Sequence, residues 1–176
     1  MPQNETTPKI PAWIGNNLVA FDKLEVHRRG LLHKAVSVFV LCGPDVLIQR
    51  RALGKYHTPG LWANTCCTHP HWGEAPLECA HRRLSEELGL TGLTLTHRDK
   101  VKYRADVGGG LIEHELVDIF LSRVETRPDL DLNPDEVMDT KWLPIAELSQ
   151  QTRDTPEAFT PWLRIYLEQH ADQIFD

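Results

Sequence analysis

Several carboxylates, imidazoles and thiols in this 176-residue chain stand at spacings that could do metal or acid–base chemistry. Within LIEHEL, strand alternation sends Glu113 and Glu115 to one face and His114 to the other, so two carboxylates can converge on one ion. His27, His33 and His69 could complete such a site. Three imidazoles with two carboxylates suit a borderline divalent ion such as Mn²⁺, Zn²⁺ or Fe²⁺ better than a closed structural zinc tetrahedron. Taken singly, a histidine is more often a surface or packing residue, and spacing alone does not gather these. In NTCCTHP (64–70), Cys67 lies two residues before His69, so on an extended segment the two share a face while Cys66 points away. The plain alternative is a pair of small buried hydrophobes. A third group runs from Glu74 through Arg82 and Arg83 to Glu86 and Glu87. Carboxylates on one helix face can hold Mg²⁺ against a diphosphate. The same residues are equally explained as a solvated face with Arg82–Glu86 and Arg83–Glu87 pairs.

The elements that must position these groups follow from periodicity. AVSVFVL (35–41) and VLIQR (46–50) are rich in β-branched residues and flank Gly43-Pro44-Asp45, which predicts a hairpin. Residues 50–66 have little periodicity, are punctuated by Gly54, Pro59 and Gly60, and carry Lys55, Tyr56 and His57, the profile of a substrate-side loop. From Pro76 to Leu88, the residues Leu77, Ala80, Leu84 and Leu88 recur at helical spacing, with proline in the first turn and Gly89 just past the end. Residues 94–105 and 111–121 surround Gly108-Gly109-Gly110 as a second hairpin, and 137–143 form a further strand after the breaks at Pro128, Asn133 and Pro134. Segments 144–151 and 156–170 predict two closing helices, the second bent at Pro161. Residues 1–17, with Pro2, Pro8 and Pro11 and only Trp13 and Ile14 as anchors, predict a loosely held N-terminal arm before a single catalytic domain over 18–176. Strands interrupted by one mid-chain helix and followed by C-terminal helices predict an α/β (α+β) layered domain.

Composition narrows the partners. No apolar run approaches the roughly 20 residues of a membrane-spanning helix. Lys+Arg 19 against Asp+Glu 25 gives a net charge of −6, which argues against nucleic acid or an anionic membrane as partner and leaves room for a local basic pocket holding a phosphorylated small molecule. Cys42, Cys66, Cys67 and Cys79 contain no C-x-x-C pair, and MPQNETTPKI lacks a secretory pattern, so a cytoplasmic monomer or homodimer is expected. No dinucleotide fingerprint is present, so neither flavin nor NAD is expected.

Glu74, Arg82, Leu84, Glu86, Glu87, Gly89 and Leu90 resemble, in order and spacing, the Nudix signature. Two positions depart from it. Thr68 stands where the first glycine belongs, and Arg83 stands where the hydrolases of that superfamily carry a glutamate. Exchanging a carboxylate for a guanidinium removes a metal ligand and supplies a bidentate phosphate donor, so the site should grip a diphosphate without readily hydrolysing it.

HRRGLLHKAVS (27–37), RRALGKYHTPGLWANTCCTHP (50–70), RRLSEELG (82–89), KYRA (102–105), IEHE (112–115), DEVMDTKW (135–142) and FTPW (159–162) together resemble the type I isopentenyl-diphosphate isomerases over about residues 20–165. The resemblance implies a Nudix-like domain, a mixed β-sheet flanked by helices, that interconverts isopentenyl and dimethylallyl diphosphates by moving protons. By position it implies that Cys67 and Glu115 are the catalytic pair, that Tyr103 assists Glu115, and that Trp162 faces the cationic intermediate. His27, His33, His69, Glu113 and Glu115 match the family's Mn²⁺ or Zn²⁺ site, and Glu87 matches a ligand of the Mg²⁺ that accompanies the substrate. Lys23, Arg51, Lys55 and Arg83 match its diphosphate contacts. In the forward direction Glu115 is expected to protonate the terminal methylene and Cys67, as thiolate, to take the neighbouring proton, with swapped roles open. A divergent Nudix pyrophosphohydrolase and a non-catalytic metal-stabilised binding protein are the alternatives. Arg83 speaks against the first, and the matches at Cys67, Glu115 and Trp162 against the second.

Overall fold

The computed structural model describes residues 8–176, which form one mixed sheet with helices on both faces. Its strands are β1 (Lys9–Ile14), β2 (Asn17–Asp22), β3 (His33–Cys42), β4 (Asp45–Arg51), β5 (Trp62–Ala63), β6 (Cys66–Thr68), β7 (Thr96–Asp106), β8 (Ile112–Val124) and β9 (Val137–Pro144). The helices are α1 (Lys23–Arg29), α2 (Pro76–Leu88), α3 (Ile145–Asp154), α4 (Pro161–Gln169) and α5 (Ala171–Phe175). β3 lies parallel to β8 along its whole length, from His33↔Glu115 to Cys42↔Val124, and β8 lies antiparallel to β7. Buried on both faces, β3 reads as a nearly unbroken apolar run. None of the helices described is long and apolar enough to cross a membrane.

The expected hairpin of β3 and β4 pairs only at Leu41↔Val46 and Cys42↔Asp45; β4 pairs with β9 from Asp45 to Arg51 and with β5 at Gln49 and Arg50. Opened strands leave backbone groups that must find partners. Two fully buried polar residues, Asn64 and Thr65, supply them. Val40 N–H donates to Thr65 Oγ1 (2.9 Å), Thr65 Oγ1 donates to the Leu47 carbonyl (2.6 Å), and Asn64 Nδ2 donates to the carbonyls of Val38 (3.1 Å) and Cys66 (2.9 Å). This wedge seats β6 against β3, with Cys66 opposite Val38 and Cys67 opposite Ser37.

Alternation along β3 then sorts the core. Val36, Val38 and Val40 face α2, where Ala80, Leu84 and Leu88 of the predicted stripe pack together with Cys79, while Leu77, also expected in that stripe, is exposed. Ala35, Phe39 and Leu41 face the C-terminal helices, and Ser37 Oγ hydrogen-bonds Tyr166 Oη at 3.0 Å. Helix α2 spans the predicted limits and ends on Gly89 in the left-handed conformation.

Three expectations change. Within the predicted arm, residues 1–7 lie outside the described residues, but Lys9–Ile14 form β1, with Ile10 and Ala12 buried against Val26. Pro161 begins α4 instead of bending a longer helix: residues 156–158 make a separate 3₁₀ turn, and proline suits the first helical position because no N–H is needed there. The short helix α1 was not anticipated. Asp22 caps it by accepting from Glu25 N–H (2.9 Å), and Gly30 ends it with φ 63°.

Candidate active site

Helix α1, the start of β3, the residue after β6 and the start of β8 bring His27, His33, His69, Glu113 and Glu115 to one place, all but His69 deeply buried. One ligand atom from each of His27, His33, His69 and Glu113 lies within 4.8 Å of the others. Glu115 Oε2 joins them, 2.9 Å from His69 Nε2 and 3.3 Å from His33 Nε2.

Hydrogen bonding behind the rings fixes what these nitrogens can do. His27 Nδ1 lies 2.6 Å from the Lys23 carbonyl, and His33 Nδ1 lies 2.8 Å from the Leu31 carbonyl. A carbonyl only accepts, so each Nδ1 carries the proton and each neutral ring turns the Nε2 lone pair inward. Those lone pairs face Glu113 oxygens at 2.9 and 3.1 Å. Acceptors so close require positive charge between them, from a proton or a metal ion, and backing of Nδ1 by carbonyls is the arrangement that orients metal-ligating histidines. Burial would lower the His33 value, but hydrogen bonds and charge from Glu113 and Glu115 outweigh that and lift it to about 10. Burial opposes ionisation of both glutamates, yet the surrounding imidazole contacts hold them below the usual carboxylate range. The donor set fits a divalent ion.

Next to this cluster is a cleft of about 400 Å³, counting its open mouth. Cys67, Glu115 and Trp162 line it, joined by Lys23, Arg51, Lys55 and Arg83. Tyr103, directly across from Glu115 in the β7–β8 ladder, donates its hydroxyl to Glu115 Oε1. Trp162 Nε1 donates to Cys67 Sγ at 3.1 Å. Burial pushes the Cys67 thiol up to about 12, against the opposing charge of Arg51.

Cations crowd the cleft. Burial, then the neighbouring charges of Lys55 and Arg83, lowers Lys23 to about 8. Arg51 is 5% exposed, stacks its guanidinium 5.3 Å from the Trp162 ring, and its Nε has no hydrogen-bond partner among the described residues. Arg51 also lines the cleft, where a guanidinium is suited to an anionic ligand. Arg83 contacts Glu86 (2.7 Å), Glu87 (2.8 Å) and Glu136 (3.2 Å), and Lys55 pairs with Glu136.

Comparison with known proteins fits this geometry. The NUDIX domain family matches residues 31–163. A solved structure from Deinococcus radiodurans shares the fold, with a TM-score of 0.74 at 15% identity over 96% of this chain and 99% of its own. A MutT NUDIX hydrolase from Burkholderia pseudomallei does so with a TM-score of 0.61 at 21% identity over 79% and 98%. These likenesses concern the fold alone. The isopentenyl-diphosphate Delta-isomerase of Dinoroseobacter shibae is 60% identical over 94% of both chains, and that of Jannaschia sp. is 59% identical over 97% of both. The chain belongs to the isopentenyl-diphosphate Delta-isomerase family.

Of the residues matched to that isomerase family in the sequence, all but one gather around the cleft or the His/Glu cluster. Glu87 stands apart on the α2 side of the sheet. Its Oε1 accepts from Arg83, and its Oε2 faces Gln49 Nε2 (3.0 Å) and Cys66 Sγ (3.2 Å). The rest of the Nudix helix is salt-bridged: Arg82 grips Glu74 through Nε (2.6 Å) and NH2 (2.9 Å) and reaches Glu86 at 3.2 Å. Sequence reasoning did not single out Glu136 or His57 as site residues. His57 is buried against Glu113 at 2.5 Å, and burial drives its ring down to about 4. Its position in an aperiodic loop, beside Lys55, was the available signal. No spacing rule links residues 57 and 113.

Proposed function

We propose that this chain interconverts isopentenyl diphosphate and dimethylallyl diphosphate through a tertiary carbocation. The observation that carries the reading is that Cys67 and Glu115 line one cleft with an indole and four cations, in a chain 60% identical to a named isomerase. A proton goes to the terminal methylene, positive charge develops at the substituted carbon, and loss of the neighbouring proton leaves the internal double bond with the diphosphate intact. One donor and one acceptor suffice.

The raised thiol of Cys67 and the lowered carboxyl of Glu115 favour Cys67 as donor and Glu115 as acceptor in the first turnover, one of the two orders the sequence leaves open. Once Cys67 has given its proton, Trp162 N–H and the nearby Arg51 charge stabilise the thiolate. The indole face shields the carbocation from water and stabilises it through its π electrons. Tyr103 keeps Glu115 oriented throughout.

Lys23, Arg51, Lys55 and Arg83 would bind the diphosphate. His27, His33, His69, Glu113 and Glu115 would hold Mn²⁺ or Zn²⁺, whose charge would set the proton affinity of Glu115. Glu87 would hold the substrate's Mg²⁺, whose charge would help bind the diphosphate alongside Arg83. A pyrophosphohydrolase is disfavoured because the carboxylate such enzymes need at position 83 is a guanidinium engaged with Glu86, Glu87 and Glu136.

Incubation of the purified protein with isopentenyl diphosphate and Mg²⁺, followed by proton NMR and a phosphate-release assay, separates the readings. Dimethylallyl diphosphate without liberated phosphate is the expected result. Released phosphate or diphosphate with no isomer overturns the proposal.

A further inference from the structure

We infer that His57 is a positioning residue, which holds the Glu113 carboxylate for the metal ion and couples that carboxylate to Arg51. The inference rests on the metal reading of the His/Glu cluster.

His57 differs from the other imidazoles in where its proton must be. Its Nδ1 faces Thr58 Oγ1 at 2.9 Å and Arg51 NH2 at 3.5 Å. Arginine only donates, and the threonine hydroxyl can donate, so Nδ1 accepts and the ring proton lies on Nε2. That proton points at Glu113 Oε1, 2.5 Å away. His27 and His33 hold the opposite tautomer, with Nδ1–H bound to backbone carbonyls and Nε2 free to ligate. A ring with N–H toward the carboxylate orients a ligand and does not serve as one through that nitrogen.

The backbone around His57 is fixed by independent contacts. Arg51 NH2 donates to the His57 carbonyl at 3.1 Å, and the ring meets Trp162 edge-on with centroids 5.6 Å apart. Thr58 is the only non-glycine among the described residues with positive φ, at 46°. A β-branched residue is a genuine outlier there, and such strain persists where surrounding structure over-determines it, commonly at functional sites. Thr58 is buried, and in this conformation its hydroxyl faces His57 Nδ1. His57 thus joins the metal carboxylate, the Arg51 guanidinium and the indole wall.

The test uses Zn²⁺ as probe, titrated into metal-stripped protein against a chelator of known affinity. His57→Leu removes the donor, and His57→Gln keeps an N–H at the distal end. Loss of an outer-shell partner typically weakens metal affinity about 10–100-fold. His57→Leu should bind Zn²⁺ that much more weakly, and His57→Gln should recover to within about threefold of wild type. Equal affinity of His57→Leu and wild type, or no recovery in His57→Gln, overturns the inference. Wild-type protein that binds no Zn²⁺ would instead overturn the metal reading itself. If His57→Leu does not fold, Thr58→Val, which keeps the side-chain shape and removes the hydroxyl, decides: weaker Zn²⁺ binding supports the role and unchanged binding refutes it.

Discussion

Replacing Gly89 by alanine should damage the protein far more than replacing Gly92, although both glycines have positive φ, 66° and 71°. A non-glycine in the left-handed region costs about 1 kcal/mol or slightly more. At position 92 that is the whole cost, because a Cβ there would meet nothing within 4 Å. At position 89 the new Cβ would lie 2.7 Å from Asp131 Cβ and 3.1 Å from the Asp131 backbone nitrogen and oxygen. That segment cannot retreat freely, since Asp131 N–H bonds the Leu88 carbonyl (2.9 Å) and Asn133 N–H bonds the Glu87 carbonyl (3.0 Å), covering the end of α2. Overpacking of this kind adds about 1–3 kcal/mol. Gly92→Ala should therefore lose about 1 kcal/mol and Gly89→Ala about 2–4 kcal/mol. For a domain of this size each kcal/mol moves the melting temperature by about 2–4 °C. Urea unfolding followed by tryptophan fluorescence measures both variants. Equal destabilisation would refute the close approach of residues 131–133 to the helix end.

Cys67→Ala should remain folded and lose about 10²–10⁴-fold in turnover, the usual worth of a positioned acid or base, whereas Cys66→Ala should keep most activity; equal rates in the two contradict the role of Cys67. Trp162→Phe keeps an aromatic face but loses the N–H donated to Cys67, so turnover should fall in the order wild type, Trp162→Phe, Trp162→Ala, and an alanine variant as fast as the phenylalanine one removes the indole from the mechanism. The Glu74 carboxyl is held at about 2, below its ordinary 4.5, chiefly by its hydrogen bonds to Arg82. A depressed folded-state value stabilises above the unfolded one, so this contribution is complete above pH 4.5 and disappears between pH 4.5 and 2. Discounted for solvent screening it amounts to about 1 kcal/mol. Unfolding free energies of wild type and Glu74→Gln should differ near neutrality and converge in acid, and a gap that persists at the acid end counts against the pair.

Local pattern and long-range geometry were not equally legible in the chain. Helix α2 declared itself because Ala80, Leu84 and Leu88 bury one stripe and Gly89 supplies the left-handed stop, all within one segment. β8 did so because alternation fixes Glu113 and Glu115 on one face wherever the strand lies. β1 was hidden by its proline: Pro11 lacks an N–H, yet it sits in the β1–β2 ladder opposite Ala20. Helix α1, seven residues long, is too short for periodicity to register, although it carries Lys23 and His27. The splaying of β3 and β4 depends on the side chains of Asn64 and Thr65 reaching strands far away in sequence. Protonation states lay beyond the sequence for the same reason. Alternation put Cys67 beside His69, but the burial that raises its thiol comes from the packed whole.

The central claim is that protons are added and removed on an otherwise intact diphosphate, and isotope incorporation tests it most directly. The purified protein is incubated with isopentenyl diphosphate and Mg²⁺ in D₂O, without flavin or nicotinamide, and the product is examined by proton and deuterium NMR. The account predicts dimethylallyl diphosphate with deuterium in the methyl group derived from the alkene methylene, because the donor thiol exchanges with solvent between turnovers. Dimethylallyl diphosphate formed without deuterium, or no conversion by folded, metal-loaded protein, would contradict it.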